Sequence, residues 1–301
     1  MNAPRRPPRR RVDGVLLLDK PAGITSNGAL QAARRLLNAE KAGHTGTLDP
    51  LASGLLPLCF GEATKFAGEL LEANKTYEAT VRLGVRTETG DAEGRVLETR
   101  PVDAGQADVA AALGRFVGEI SQVPPMHSAL KRDGRPLYEY AREGRTVERA
   151  PRLVVIHRLE MLDFAGSEVV IRVECSKGTY IRTLAEDLGA ALGCGAHLTA
   201  LRRTAIAALS LAGTVTLEAL EAMPLEARDG CLAAVDRFLL GLPPLALDDA
   251  AAGRFLNGQP VPAAGLRAGR VRVYAGPRFL GLAESGQDGL AHPRRLVAAG
   301  C

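Results

Sequence analysis

The apolar run Gly14 to Asp19 predicts a short buried strand. Thr25 and Ser26 then supply a helix cap, and Ala29, Leu30, Ala33, Leu36 and Leu37 recur at helical spacing on one face. A second helix is expected from Ala63, Phe66, Ala67, Leu70 and Leu71. Tyr77, Ala79, Val81 and Leu83 alternate as a half-buried strand does, and that strand ends in the turn-rich Thr89-Gly90-Asp91-Ala92-Glu93-Gly94. Val109, Leu113, Phe116, Val117 and Ile120 read as another helix. Val169, Ile171 and Val173 form a strand leading through Ser176-Lys177-Gly178 into a helix with Ile181, Leu184, Leu188 and Leu192 on one side. No long βαβ series emerges, so the order predicts an α+β fold on a mixed or antiparallel sheet rather than a doubly wound one.

The helical pattern breaks at Leu242-Pro243-Pro244-Leu245, which sets a domain boundary between Gly241 and Asp249. A chain of 301 residues, 46% of them hydrophobic, is long enough for two domains and a sizeable core. The expected division is a disordered basic tail over 1–12, a main body over 13–244 and a small β-rich module over 245–301. Seven arginines in that module (254, 267, 270, 272, 278, 294 and 295) face four acids (248, 249, 284 and 288), so it carries net positive charge.

Charge elsewhere is more even. Removing the five arginines that precede Asp13 takes the formal charge from +4 to −1. Any affinity for a polyanion would then come from local basic patches, with the arm read either as an extra phosphate contact or as a solubilising tail. Five cysteines, at 59, 175, 194, 231 and 301, form no C-x-x-C pair, which argues against a zinc ribbon or a redox dithiol. Histidines are scattered and there is no H-E-x-x-H, so no metal site is expected. Without a long apolar span or a signal-like start, the sequence predicts a cytoplasmic protein away from membranes.

The densest chemistry lies in Ala42-Gly43-His44-Thr45-Gly46-Thr47-Leu48-Asp49-Pro50-Leu51-Ala52-Ser53-Gly54. Its glycines let the backbone bend and let a partner approach, while Pro50 keeps Asp49 in an extended or turn conformation. A carboxylate is thereby presented at the mouth of an apolar run. Taken with Lys75-Thr76-Tyr77 and Lys177-Gly178-Thr179-Tyr180-Ile181-Arg182, this block resembles the TruB family of tRNA pseudouridine synthases from about Gly14 to Arg203.

That resemblance implies an isomerase that detaches uracil from C1′ of its ribose, turns it and rejoins it through C5. Such a reaction needs no cofactor. Asp49 would be the catalytic nucleophile, attacking either C1′ or C6, with Arg182 beside it to favour the ionised form. Tyr77 would lie against the target base and stand as a candidate for handling the C5 proton. His44 would fill the space left by the extracted nucleotide, Leu201 would wall the uracil pocket, and Lys20, Tyr180 and Arg202 would join the substrate-binding set. The target uridine sits inside a folded RNA arm and must be extracted first. The segment from Pro124 to Arg152, polar and containing Tyr138 and Tyr140, reads as an RNA-gripping insertion. By the same resemblance, 245–301 looks like a PUA-type RNA-binding domain.

The implied partner is tRNA, recognised through its T-arm stem-loop and modified at position 55 by a monomer with no obligatory protein partner. Two alternatives are the catalytic subunit of a guide-RNA ribonucleoprotein and an RNA chaperone whose catalysis is secondary. The block after Arg203, Thr204-Ala205-Ile206-Ala207, lacks the glycine frequent there in the family, which touches loop geometry only.

Overall fold

The structure, a computed structural model, describes residues 8–298. It is α+β, with helices set against a large sheet and a second, smaller sheet at the C-terminal end. The large sheet runs Leu232–Ala233, Gly14–Lys20, Ser53–Phe60, Ala196–Ile206, Lys75–Leu83, Glu168–Cys175, Arg152–Ala165 and Gly118–Gln122. Neighbours along this path are antiparallel except where Ser53–Phe60 meets Ala196–Ile206, a parallel junction of two pairs, Arg202 with Ser53 and Arg203 with Gly54. Gly54 is required there: at φ +99° a Cβ would fall 2.3 Å from the Arg203 carbonyl oxygen.

Strands Gly14–Lys20 and Ser53–Phe60 are buried on both faces, which is why they read as unbroken apolar runs. Leu16, Leu18, Leu56 and Leu58 face the larger core with the helices Ser26–Leu36 and Ile181–Ala191. Val15, Leu17, Leu55 and Cys59 face a second cluster on the other side. The first helix begins where Thr25 accepts a hydrogen bond from the Gly28 amide at 2.9 Å.

Two expected helices differ. Residues Gly61–Leu70 form consecutive 3₁₀ turns rather than an α-helix. Burial of Ala63, Phe66 and Leu70 suits either, since a spacing of three or four does not separate the two. The run from Val109 to Ile120 is split: the helix covers only Gln106–Gly114, and Ile120 belongs to the edge strand Gly118–Gln122. Gly118, at φ +102°, marks the change of direction.

Of the arginine-rich arm, residues 1–7 lie outside the described residues. At Arg10 the expected solvated arm is instead fastened to the body, by Nε to the Leu37 carbonyl at 3.0 Å and by an ion pair with Asp229. Segment 124–152 connects the adjacent strands Gly118–Gln122 and Arg152–Ala165 and carries the hairpin Lys131–Arg132/Arg135–Pro136 and the helix Leu137–Arg142. The second sheet, ordered Pro244–Leu247, Gly269–Ala275, Arg278–Ser285, Leu290–Leu296 and Val261–Pro262, packs Val271, Val273 and Ala291 around Phe255. It meets the main body through Phe66, Leu239, Leu282 and Val297, with Arg270 paired to Glu69.

Candidate active site

A cleft of about 740 Å³ opens between the Asp49 loop, the strand Lys75–Leu83, the first turn of the helix Ile181–Ala191 and the insertion. Asp49 stands at its side with 36% of its side chain accessible. Its loop is held by Leu48, which is buried, and by the Gly23 amide donating to the Pro50 carbonyl at 2.8 Å. Arg182 is 4% exposed and lies against it. Its Nε is 3.0 Å from Asp49 Oδ2, its Nη1 donates to the Thr89 carbonyl at 2.9 Å, and its Nη2 donates to the His127 carbonyl at 2.7 Å.

Nη1 also lies 3.6 Å from the carboxylate of Asp91, which is buried. Asp91 sits in the turn expected at Thr89 to Gly94, where its carboxylate accepts hydrogen bonds from the Thr89 hydroxyl and the Glu93 amide. Burial pushes the Asp49 carboxyl above its ordinary value, and Arg182 and, more weakly, Lys20 pull it back, while Asp91 works with the burial. The guanidinium thus offsets the main force that would neutralise this carboxylate.

Tyr77 lies half-buried at the cleft wall, its phenol made a weaker acid by burial and drawn the other way by Arg203. Leu201 contributes an apolar surface. His44 stands at the end of the short strand Ala42–His44, and burial and the nearby charge of Arg203 both lower its pKa. Its Nδ1 is buried without a hydrogen-bond partner among the described residues. Tyr180 caps the helix Ile181–Ala191 and lines the cleft, along with Tyr138 and Arg142 from the insertion. Arg142 stacks on Tyr138 with its guanidinium carbon 5.2 Å from the ring centre.

Two sequence-expected residues are not brought to the cleft. Lys20 is 0% exposed, and its ammonium donates to the carbonyls of Pro21 at 2.8 Å and Ile24 at 2.7 Å. Burial lowers its pKa to about 8. Arg202 forks onto Asp19 at 2.7 and 3.1 Å. Side chains alternate along a strand, so Leu201 and Arg203 share the cleft face and Arg202 points away from it. Arg203 is the residue missed: it is buried, with Nε donating to the Leu55 carbonyl at 2.8 Å. Asp91 was missed as well, because an Asp in a Gly-rich turn looks like ordinary turn chemistry. Among the described residues no cluster of His, Cys, Asp and Glu is arranged to hold a metal ion.

An accessible carboxylate gripped by a buried guanidinium, beside an aromatic ring and an aliphatic wall, suits covalent attack on a flat heterocycle or the sugar carbon attached to it. Comparison with known proteins places the chain in a family. Residues 34–181 match the family described as TruB family pseudouridylate synthase (N terminal domain). Residues 182–243 match the tRNA pseudouridylate synthase B C-terminal domain, and 243–297 match Pseudouridine synthase II TruB, C-terminal. A tRNA pseudouridine synthase B from Burkholderia mallei is 62% identical over 97% of this chain and 99% of its own length. One from Cupriavidus pinatubonensis is 58% identical over 98% of each chain. Among solved structures, a chain of a Cbf5-Nop10-Gar1 complex superposes with a TM-score of 0.69 at 29% identity, covering 90% of this chain and 78% of that one. A chain of an archaeal box H/ACA sRNP Nop10-Cbf5 complex gives 0.70 at 26% identity, covering 94% and 85%.

Proposed function

Because the chain belongs to the TruB family of pseudouridylate synthases and so isomerises uridine in tRNA to pseudouridine, we propose that its target is the T-loop uridine at position 55 and that Asp49 is the nucleophile. The observation that carries this reading is the 3.0 Å contact between Asp49 and Arg182 at the side of a cleft large enough for a nucleotide.

In the reaction the N1–C1′ bond breaks, the C5–C1′ bond forms, the C5 hydrogen leaves as a proton and N1 gains one. Asp49 forms the transient covalent bond at C1′, from which C5 displaces it as the new glycosidic bond closes, or at C6, from which it leaves as the C5 proton is lost and the C5–C6 double bond re-forms. Arg182 favours the carboxylate form against burial. Tyr77 and Leu201 hold the flipped uracil between an aromatic ring and an aliphatic wall, and burial, by making the Tyr77 phenol a weaker acid, favours stacking over a role as the base that takes the C5 proton. His44, whose Nδ1 has no hydrogen-bond partner among the described residues, fills the space that the extracted nucleotide leaves in the RNA.

The insertion over 124–152 grips the arm, and its cationic and aromatic side chains suit phosphates and splayed bases. The PUA-like module over 245–301 adds affinity. Arg254, Arg267, Arg278 and Arg294 are exposed there, with no carboxylate partner among the described residues. The enzyme acts in the cytoplasm as a monomer, on tRNA alone, with no guide RNA and no cofactor. Near end-to-end similarity to bacterial tRNA enzymes supports this over membership in a guide-RNA particle. Incubating purified protein with a T-arm stem-loop and EDTA, then mapping the product, tests the reading. Product at one loop uridine is expected, whereas product only on adding a guide RNA would replace the stand-alone enzyme with the ribonucleoprotein subunit.

A further inference from the structure

Asp49 and Arg182 lie on segments far apart in sequence, the loop before Ser53–Phe60 and the helix Ile181–Ala191. Among the described residues no backbone hydrogen bond joins these two segments. Their contact therefore depends on how each backbone is held separately.

Each is held beside its reacting residue by one buried polar side chain that makes two hydrogen bonds to a single residue's backbone. Ser26 is 1% exposed; its hydroxyl donates to the Leu48 carbonyl at 3.0 Å and accepts from the Leu48 amide at 2.8 Å. Leu48 immediately precedes Asp49. Gln122 is 2% exposed; its Oε1 accepts from the Tyr180 amide at 3.0 Å and its Nε2 donates to the Tyr180 carbonyl at 3.3 Å. Tyr180 is the cap residue two positions before Arg182, and its carbonyl also receives the Leu184 amide of the first helical turn.

We propose that Ser26 and Gln122 are positioning residues for the isomerisation, each fixing one half of the Asp49–Arg182 pair. The inference rests on the reading of Asp49 and Arg182 as the reacting pair. Buried polar side chains usually just satisfy nearby backbone groups. Here the two clamps arise independently in different elements, and each falls within two residues of a reacting group. Gln122 also ends the edge strand from which the RNA-gripping insertion departs, and the insertion's His127 carbonyl receives Arg182 Nη2. The base of the grip is thus tied to the arginine by two routes, one through backbone and one through its guanidinium. Seating RNA in the insertion acts on Arg182 through both.

The test compares single-turnover rates at saturating tRNA, and tRNA Kd, for Gln122→Met, Gln122→Glu, Ser26→Ala and Ser26→Cys in the full chain. Met keeps the length of Gln and loses both bonds, while Glu keeps only the acceptor. Because a misplacement of about 1 Å costs on the order of a hundredfold, Gln122→Met and Ser26→Ala should lose about 10- to 100-fold in rate with Kd within about twofold. Gln122→Glu, whose second oxygen faces the Tyr180 carbonyl, should lose at least as much as Gln122→Met, while Ser26→Cys should fall between Ser26→Ala and wild type and decides the test where Ser26→Ala or Gln122→Met does not fold. A purely structural role would lower the rate by the same factor in any background. Positioning through Arg182 predicts that Gln122→Met costs less than about twofold once Arg182→Lys is present, since groups acting as a unit are not additive. Wild-type rates in the clamp variants, or full multiplicativity with Arg182→Lys, would overturn the proposal. Asp49→Asn keeps the two readings apart. An active Asp49→Asn removes the nucleophile itself, whereas an inactive one beside fully active clamp variants removes only the clamps.

Discussion

Replacing Arg182 by alanine should damage stability and chemistry by different routes, and the buried carboxylate of Asp91 allows the two to be separated. Two unit charges about 4 Å apart attract by about 4 kcal/mol at an effective dielectric near 20. With 36% of the Asp49 side chain accessible, solvent screening leaves about half of that, or roughly 2 kcal/mol. At 1.36 kcal/mol per tenfold, the lost attraction shifts Asp49 about 30-fold toward its protonated form, and the rate follows the carboxylate that remains. Asp49 also loses the group that orients it, which adds a further factor of about 10 to 100. The total is about a thousandfold.

Stability falls because Asp91 is stranded. It keeps two donors, the Thr89 hydroxyl and the Glu93 amide, so the cost belongs at the low end for a broken buried pair, about 3 kcal/mol. In a catalytic body of this size that corresponds to a fall in Tm of roughly 6 to 12 °C. Adding Asp91→Asn to Arg182→Ala removes the stranded charge and should restore most of the lost Tm. It should not restore turnover. Tritium release from C5-labelled uridine in tRNA, measured beside thermal melting, reads both quantities. Recovery of turnover together with Tm in the double variant would refute a catalytic role for Arg182 and leave it a structural ion-pair partner.

Asp49→Asn should bind tRNA within about twofold of wild type and give no product, because the amide keeps the shape but is a poor nucleophile; the same tritium assay reports it. The rate of the wild type should fall as pH drops through a midpoint above that of an ordinary aspartate, since burial raises Asp49, and Asp91→Asn should move that midpoint lower by removing a like charge. The corresponding stability has the opposite sense: the folded chain holds this proton more tightly than the unfolded chain, so the contribution is full below the ordinary aspartate value and is lost as pH rises through the raised one. Gly54→Ala should destabilise the catalytic body by about 4 kcal/mol or more, visible in melting, because the new Cβ meets the Arg203 backbone and φ is +99°. Changing Arg254, Arg267, Arg278 and Arg294 together to Gln should weaken tRNA binding and flatten its salt dependence while the rate at saturating RNA persists; an unchanged salt slope would make the C-terminal module a stabilising appendage.

Periodicity found the strands that bury one face or both, because Leu16 and Leu18, or Val81 and Leu83, show their environment in the sequence itself. It overran at Gly114, since apolar residues continue through Phe116 and Ile120 while the backbone changes from helix to strand. Asp49 was legible because its loop is contiguous. Arg203 and Asp91 were not, for their roles come from sheet register and from a turn folded onto a distant helix, and no local spacing encodes either. Choosing Arg202 over Arg203 is the one-residue error that strand alternation punishes most, moving a side chain from one face to the other.

The cations around Asp49 share a property that bears on how the site works. Arg182 donates to the Thr89 and His127 carbonyls, Arg203 to the Leu55 and Gly46 carbonyls, and Lys20 to those of Pro21 and Ile24. Their donors are committed to the protein's own backbone, so they cannot readily swing out to take RNA phosphates. Their field is not used up in this way. Arg182 and Lys20 both favour the ionised Asp49 against its burial, and Arg203 favours a neutral His44. On the proposed function, phosphate attraction falls to exposed arginines such as Arg142 of the insertion and Arg254, Arg267, Arg278 and Arg294 of the C-terminal module, which pair with no carboxylate among the described residues. On that proposal the division would let the enzyme grip a polyanion without drawing away the charges that keep Asp49 ionised. It follows that raising the salt concentration should weaken tRNA binding far more than it slows the bound reaction, since buried pairs are screened least.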